Sequence, residues 1–212
     1  MDERKARRRT IAIALAFVSA AALAVACVGD RWLLTPDEDG LAIALRSYVK
    51  CRPDCASASN FDLVDQLDIQ IAELKKDPSP AVQRAVPRPP WHGFPVVGIM
   101  ALGFSVLAAL SLVWAALIAL LRKRPELAIM PTTIAVLGLA LAIVTGCIFV
   151  ATKPGLYLDT LTVGWTFWVF GGGVVSGLAS VFPLNRQIRP IDEELGEASA
   201  TMSWGGSRDD VP

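Results

Sequence analysis

Four long stretches of the chain contain no charged residue and no histidine, and they constrain the fold more than any other feature. They cover residues 10–29, 93–121, 127–152 and 160–185, which are 20, 29, 26 and 26 residues long. A membrane-spanning helix needs about 20 apolar residues to cross a hydrocarbon core roughly 30 Å thick. The sequence therefore predicts an all-α transmembrane four-helix bundle.

The composition excludes several classes of protein. Only 19% of the residues are charged, and 53% are hydrophobic, which is atypical of a soluble domain. Twenty basic residues balance twenty acidic ones, so no surplus of positive charge attracts nucleic acid. Ionisable side chains inside a bilayer mark proton relays and ion pathways, and the four stretches contain none. We expect a protein that is not an enzyme, needs no cofactor and has the lipid bilayer as a partner.

Basic residues flank the four stretches unequally and predict their orientation. The tail 1–9 carries five basic residues and the connection 122–126 carries three, whereas the connection 153–159 carries one. Lys and Arg are enriched in short cytoplasmic segments. We therefore expect a multi-pass protein of the plasma (inner) membrane with both termini in the cytoplasm. Residues 30–92 and 153–159 would lie outside, and the tail 186–212, which is rich in Gly, Ser and acidic residues, is predicted to be disordered.

Aromatic residues agree with this orientation. Amphipathic rings favour the interface between membrane and water. Four of them lie near the expected outer ends of the spans and are predicted interface aromatics: Trp32, Trp91, Tyr157 and Trp165.

The first stretch has a second interpretation. Its basic head, apolar run and Ala24-Val25-Ala26 resemble a cleavable signal peptide, and Cys27 directly afterwards would also fit a lipoprotein. Alanines at positions 12, 16, 20 and 24 place small residues on one helical face, which suits close packing in lipid. We therefore prefer a retained helix.

The segment 30–92 is long enough to fold into a small, partly β cap. Residues 41–50 are apolar and bounded by turn signals, as a strand should be, and we expect them to pair with residues 32–34. Apolar residues from Phe61 to Leu74 recur at spacings of three and four and predict an amphipathic helix, with Ser59 or Asn60 as its N-cap and prolines 78 and 80 ending it. A wholly helical cap is the alternative.

Two of the four cysteines lie close together in this segment. Cys51 and Cys55 flank a proline turn on the expected outer side, where disulfides persist. A structural disulfide is our preferred interpretation. A redox-active pair is the alternative, with Cys27 and Cys147 as its only further partners. A metal site is not expected, because His92 is the only histidine.

Small residues recur in the third and fourth stretches at spacings that let helices approach closely. They are the predicted helix-packing residues: Gly138, Ala142, Gly146, Gly173 and Gly177. The contacts would form within one chain, by self-association or with another membrane protein.

Together these features resemble the claudin and peripheral myelin protein superfamily of tetraspan proteins. Trp32 lies where that family places a Trp shortly after the first span. Gly40-Leu41 is similar to the start of its GLW motif, although Ala42 stands where the Trp should be. Cys51 and Cys55 would be its paired loop cysteines, at a shorter spacing. The resemblance implies a first loop folded as a small antiparallel sheet stapled by the disulfide. It also implies a role in cell contacts, barriers or channel regulation. Fourteen Arg against six Lys favour a distant, bacterial member.

Three hypotheses for the function follow. The first is a non-enzymatic, claudin-like tetraspan with a structural or interaction role at the cell surface membrane. The second is a small subunit of a larger membrane complex. The third is a membrane thiol-disulfide oxidoreductase, which would pass electrons from the cysteine pair in residues 30–92 to a quinone.

Overall fold

The computed structural model describes residues 3–35, 40–51, 54–86, 89–121, 129–154 and 161–186. Within these ranges there are six helices: α1 (Glu3–Val28), α2 (Asn60–Leu74), α3 (Pro80–Ala85), α4 (Phe94–Leu121), α5 (Ile129–Ala151) and α6 (Trp165–Arg186). The same ranges contain five strands: β1 (Leu33–Leu34), β2 (Leu41–Ile43), β3 (Ser47–Cys51), β4 (Cys55–Ser59) and β5 (Thr162–Val163).

Helices α1, α4, α5 and α6 are long and apolar enough to cross a membrane. The qualifying segments are Arg7–Val28, Phe94–Leu121, Ile129–Ala151 and Trp165–Leu184. Length and composition thus mark the chain as a multi-pass membrane protein with four candidate spans. The predicted four-helix architecture is confirmed at this level.

Neighbouring spans run antiparallel. In the α4–α5 pair, Gly98 near the start of α4 lies beside Phe149 near the end of α5, and Gly138 lies beside Ala108 further along. In the α1–α6 pair, Gly173 packs against Ala22 and the following residue. Helix α1 also packs against α4, and α5 packs against α6, so each of the four long helices contacts two others.

The strands form one antiparallel sheet in the order β4-β3-β2-β1-β5. Cys51 is paired with Cys55 across β3 and β4, and Leu33 is paired with Ile43 across β1 and β2. The predicted pairing of residues 32–34 with the segment 41–50 is therefore confirmed. The wholly helical alternative is wrong.

The structure corrects the expectation of a single strand over residues 41–50. A turn closed by the hydrogen bond from the Ala44 N–H to the Ser47 carbonyl, 2.8 Å long, divides the segment into β2 and β3. Leu45 is buried in this turn, and its carbonyl lies against Gly98 of α4. Burial of this side chain contributes hydrophobic stabilisation to the turn.

Further boundaries also differ from the sequence expectation, and helix α1 begins at Glu3 rather than at residue 10. Strand β5 occupies the start of the charge-free stretch 160–185, so that α6 begins only at Trp165. Pro80 begins the short helix α3 rather than closing α2, because proline is well tolerated in the first turn of a helix. We call the sheet together with α2 the cap.

Candidate functional site

The N-terminus of α2 is fixed by a capping box at Ser59, one of the two residues predicted as its N-cap. The Ser59 hydroxyl oxygen accepts a hydrogen bond from the Asp62 N–H at 3.2 Å. In return, the Ser59 N–H and hydroxyl donate to Asp62 Oδ2 at 3.0 and 2.6 Å. These bonds stabilise the carboxylate, so the side-chain bond from Ser59, followed by the backbone bond, lowers the pKa of Asp62.

Helix α2 is attached to the sheet through one apolar face. Of the predicted apolar series, Val64, Leu67 and Ile71 are buried, together with Leu63, whereas Phe61 and Leu74 at its two ends are exposed. Polar contacts flank that face, because Tyr48 Oη donates to Gln66 Oε1 at 3.1 Å and His92 Nε2 lies 2.8 Å from Asp68 Oδ2. The opposite face is exposed, including Ile69 at 61%. The helix is therefore a fixed part of the cap, and its outer face is free to contact other molecules.

Asn60 joins the sheet, α2 and the bundle, and the sequence alone indicated it only as a possible cap. It is completely buried. Its Nδ2 donates to the Ala44 carbonyl at 3.0 Å, and its N–H donates to the Arg46 carbonyl at 3.2 Å. Both acceptors belong to the turn that touches α4. Asn60 therefore holds the start of α2 against the part of the sheet nearest the spans.

Trp32 connects the cap to three of the four long helices. Its Nε1 donates to the Ala26 carbonyl at 2.9 Å. Its ring lies 6.1 Å from Phe149, 5.9 Å from Phe167 and 5.1 Å from Phe170, measured between centroids. Edge and tilted contacts of this kind add to the energy of apolar burial. Trp32 therefore anchors the cap to α1, α5 and α6.

The burial of Trp32 corrects its assignment as an interface aromatic. The side chain is 0% exposed, so it faces the protein and not lipid headgroups. Trp91 and Trp165 are about half exposed at the cap end of the bundle, and their place at a membrane interface stays a prediction. Tyr157 lies outside the described residues.

A second contact between cap and bundle is formed by α4. At the end of the bundle that carries the cap, Phe94 of α4 stacks on Phe149 of α5 with ring centroids 4.5 Å apart. One turn further on, the backbone of Gly98 touches the Leu45 carbonyl so closely that a Cβ atom would not fit. The sheet is thus held at two sides of the bundle end, by Trp32 and by Gly98.

The disulfide Cys51–Cys55 lies at the end of the β3–β4 hairpin that is remote from the turn contacting α4. The predicted bridge is present. The two residues oppose each other directly in neighbouring strands, with their Cα atoms 3.9 Å apart, closer than the expected range of about 4.4–6.8 Å.

The two remaining cysteines lie in the spans. Cys27 is half-buried, with its Sγ 4.0 Å from the Leu102 carbonyl, and Cys147 is exposed on α5. Neither forms a disulfide. Within the described ranges, no three His, Cys, Asp or Glu side chains gather where they would hold a metal ion.

Each predicted helix-packing glycine lies at a close helix contact. A Cβ atom at Gly138 would lie 3.2 Å from Ala108, one at Gly146 would lie 3.2 Å from Phe170, and one at Gly173 would lie 3.1 Å from Ala22. At Gly177 it would lie 2.7 Å from Ser19 Oγ. Ala142 is completely buried in α5. These contacts are within the chain.

Sequence reasoning missed Ser19, which crosses between two spans. Its hydroxyl donates to the Gly173 carbonyl at 2.6 Å, and both groups are buried. A polar residue inside an apolar stretch does not by itself indicate such a bond, because Ser105 and Thr145 donate to carbonyls of their own helices.

No protein-family model matches the chain, and no curated protein sequence matches it.

Proposed function

We propose that this chain is a non-enzymatic, claudin-like tetraspan of the cell surface membrane, which acts as a structural or interaction protein through its cap. The observation that carries the proposal is the rigid attachment of the cap to the spans. Trp32 packs against Phe149 and Phe170, and the Leu45 carbonyl lies on Gly98. A cap held in this way presents a surface in one orientation, which an interaction protein needs.

Three features support the claudin-like part of the proposal. The segment between the first two spans folds as a small antiparallel sheet, as the resemblance implies. The disulfide joins two of its strands. Trp32, one of the residues that carry the resemblance, connects the sheet to the bundle.

The exposed face of α2 is the part of the cap best suited to contact a partner. Ile69 is an exposed apolar side chain, and Asp65 and Glu73 lie one turn away on either side of it. An apolar centre with a polar rim is the usual arrangement of a protein interface.

Gentle solubilisation followed by identification of the proteins that co-purify tests the proposal. We expect a membrane protein to co-purify with the wild-type chain and to be lost with Ile69→Asp. Gln70→Glu is the matched control, because it adds one negative charge at the next exposed position of α2 and leaves Ile69 in place. A bound redox cofactor or measurable turnover in the purified protein would contradict the proposal.

A small subunit of a larger membrane complex is the second candidate. The spans expose apolar side chains that either lipid or the helices of other subunits would cover, among them Trp168 and Val175 on α6. The same purification separates the two candidates. A subunit co-purifies in fixed stoichiometry with several proteins and does so independently of Ile69.

The oxidoreductase hypothesis needs a route for electrons from the disulfide to the cysteines of the spans. Strand β3 separates the bridge from the turn on α4 and spans about 13 Å. Cys147→Ala should therefore leave the oxidation of a partner thiol and the reduction of quinone unchanged. Loss of either activity in this variant would support the oxidoreductase hypothesis.

A further inference from the structure

We propose that two copies of this chain pair through strand β4, so that their two sheets become continuous. Among the described strands, β4 has a neighbour on one side only, because the order of the sheet is β4-β3-β2-β1-β5. Its residues from Cys55 to Ser57 are exposed, and Ala58 and Ser59 are partly buried. The pairing goes beyond the proposed function, because it uses an edge of the sheet and not the outer face of α2.

The two edges of the sheet are protected unequally. An edge strand offers a row of N–H and C=O groups to another chain, and proteins usually block it by short length, charged side chains, proline or a bulge. Strand β5, at one edge, has only two residues. Strand β4, at the other edge, has five, which are Cys-Ala-Ser-Ala-Ser, and it is paired with β3 in a continuous register without a bulge. The β4 edge is therefore open to a further strand.

The hydrogen bonds of β3 show which backbone groups of β4 face outward. The Cys51 N–H donates to the Gly40 carbonyl, which lies on the β2 side of β3. Alternate residues of a strand bond to the same side, so Val49 also directs its backbone groups toward β2. Ser57 is the residue of β4 that is paired with Val49. The N–H and C=O of Ser57 therefore point away from β3, toward the open edge.

Strand β4 is held in its extended form at both ends. The disulfide to Cys51 fixes its first residue, Cys55. The capping box fixes its last residue, Ser59, whose N–H donates to Asp62 Oδ2 at 3.0 Å. A strand that is already ordered loses little conformational entropy when it pairs with another strand.

A second copy of β4 is the strand that matches this edge. When two β4 strands lie antiparallel with Ser57 opposite Ser57 of the other copy, all five residues of each strand are opposed. The Ser57 N–H of each copy can then donate to the Ser57 carbonyl of the other. Ala56 faces Ala58 of the other copy, and no charged side chain of β4 meets its own equivalent. The same surface is used on both copies, as in the two-fold dimers that are the commonest homo-oligomers.

Co-purification of two differently tagged full-length chains from the same membranes tests the pairing. We expect one wild-type chain to retain the other after gentle solubilisation. Ser57→Lys in both chains should abolish this retention, because like charges directly opposite each other destabilise a strand pair. Ser57→Lys in one chain and Ser57→Glu in the other should restore it. Ser57→Thr in both chains is the uncharged control and should retain it, as should Ile69→Asp, which changes only the outer face of α2.

Disulfide trapping is a second measurement of the same contact. Directly opposed residues that exchange backbone hydrogen bonds have Cα atoms about 5.5 Å apart, within the range of a disulfide. In chains that carry Cys27→Ala and Cys147→Ala, a mild oxidant should link two copies through Ser57→Cys. Thr162→Cys is the matched control, because Thr162 is exposed on β5 at the other edge of the sheet, and it should give no linked dimer.

Four results would overturn the proposal. Wild-type chains that do not retain each other, with or without another protein bound, would mean that β4 does not pair with a second copy. Retention that persists with Ser57→Lys in both chains would place the contact elsewhere. Failure of the Lys and Glu combination to restore retention would mean that the two Ser57 residues are not opposite each other. Equal trapping at Ser57→Cys and Thr162→Cys would mean that the copies meet without a preferred edge, and this comparison decides the matter even if the charged variants do not fold.

Discussion

At the scale of single residues, Trp32 joins the cap to three of the four spans. Replacing a buried aromatic side chain by alanine costs about 3–5 kcal/mol. We expect Trp32→Ala to lose stability by this amount, because the hydrogen bond to Ala26 and the contacts with three phenylalanine rings disappear together. Thermal unfolding of the purified protein in detergent measures the loss.

Trp165→Ala is the matched control for this prediction. Trp165 is about half exposed at the same end of the bundle, so less packing is lost with it. Equal losses of stability in the two variants would show that Trp32 has no special role in joining the cap to the spans.

The glycines of α6 allow a second comparison between single residues. A side chain at Gly177 would meet Ser19 and Leu139, whereas Gly172 has open space around its Cβ position. Gly177→Leu should destabilise the α1–α6 contact by about 1–3 kcal/mol, as overpacking does, and Gly172→Leu should not. Unfolding by heat compares the two. Equal stability would place Gly177 outside a close helix contact.

The sequence indicated which residue types matter but not the direction in which they face. Trp32 was expected at the membrane interface because its distance from the first span is the only information the sequence gives. The structure turns it inward, since the chain after α1 folds back over the bundle. The inward position of Asn60 could not be predicted either, because its partners Ala44 and Arg46 lie in a turn that the sequence did not reveal.

At the scale of elements, α2 is predicted to loosen in acid. The pKa of Asp62 is lowered in the folded protein by its bonds to Ser59, whereas it is ordinary, about 3.9, in the unfolded chain. The stabilisation is therefore fully present above the ordinary pKa and is lost as the pH falls through the lowered one. Hydrogen exchange of residues 60–74, corrected for intrinsic rates, should show weaker protection below about pH 4.

Ser59→Ala should weaken the protection of the α2 amides from hydrogen exchange at neutral pH. It should also make this protection less dependent on pH. Ser79→Ala is the control, because the Ser79 side chain makes no capping hydrogen bond to α3. If Ser59→Ala leaves the exchange of residues 60–74 unchanged, the capping box does not stabilise the helix.

The disulfide gives another prediction for the cap. Opening a loop of this size lowers the free energy of unfolding by about 2 kcal/mol on the chain-entropy estimate. In the double variant Cys51→Ser and Cys55→Ser, the amide hydrogens of β3 and β4 should therefore exchange faster. Those of α4 and α5 should exchange at an unchanged rate. The bridge is remote from the bundle end, so equal acceleration in the spans would contradict the described architecture.

Long elements with a strong pattern could be predicted from the sequence, and short ones could not. The spans followed from the absence of charge over 20 residues or more, and α2 from its apolar period. Strand β5 has only two residues and lies inside an apolar stretch, so no alternation marks it. Its place beside β1 is decided by tertiary contacts, among them the hydrogen bond from the Gly164 N–H to the Trp32 carbonyl, 2.8 Å long.

At the scale of the whole molecule, the connection between α1 and α4 and the connection between α5 and α6 contribute strands to one sheet. Strand β5 pairs with β1, so the segment before α6 belongs to the same sheet as the disulfide. Lys153 Nζ also donates to the Leu161 carbonyl at 2.6 Å, which ties the end of α5 to this sheet. Four antiparallel spans place both connections on one side of the membrane, and the distribution of basic residues predicts that this side is outside.

In the predicted membrane topology, four antiparallel spans carry a cap on the outer side of the membrane. The most direct test is a pair of truncated chains in intact cells, one with a reporter fused after Asn60 and the other with a reporter fused after Arg124. We expect the reporter after Asn60 to be outside and the reporter after Arg124 to be in the cytoplasm. Reporters on the same side, or in the reverse arrangement, would contradict it.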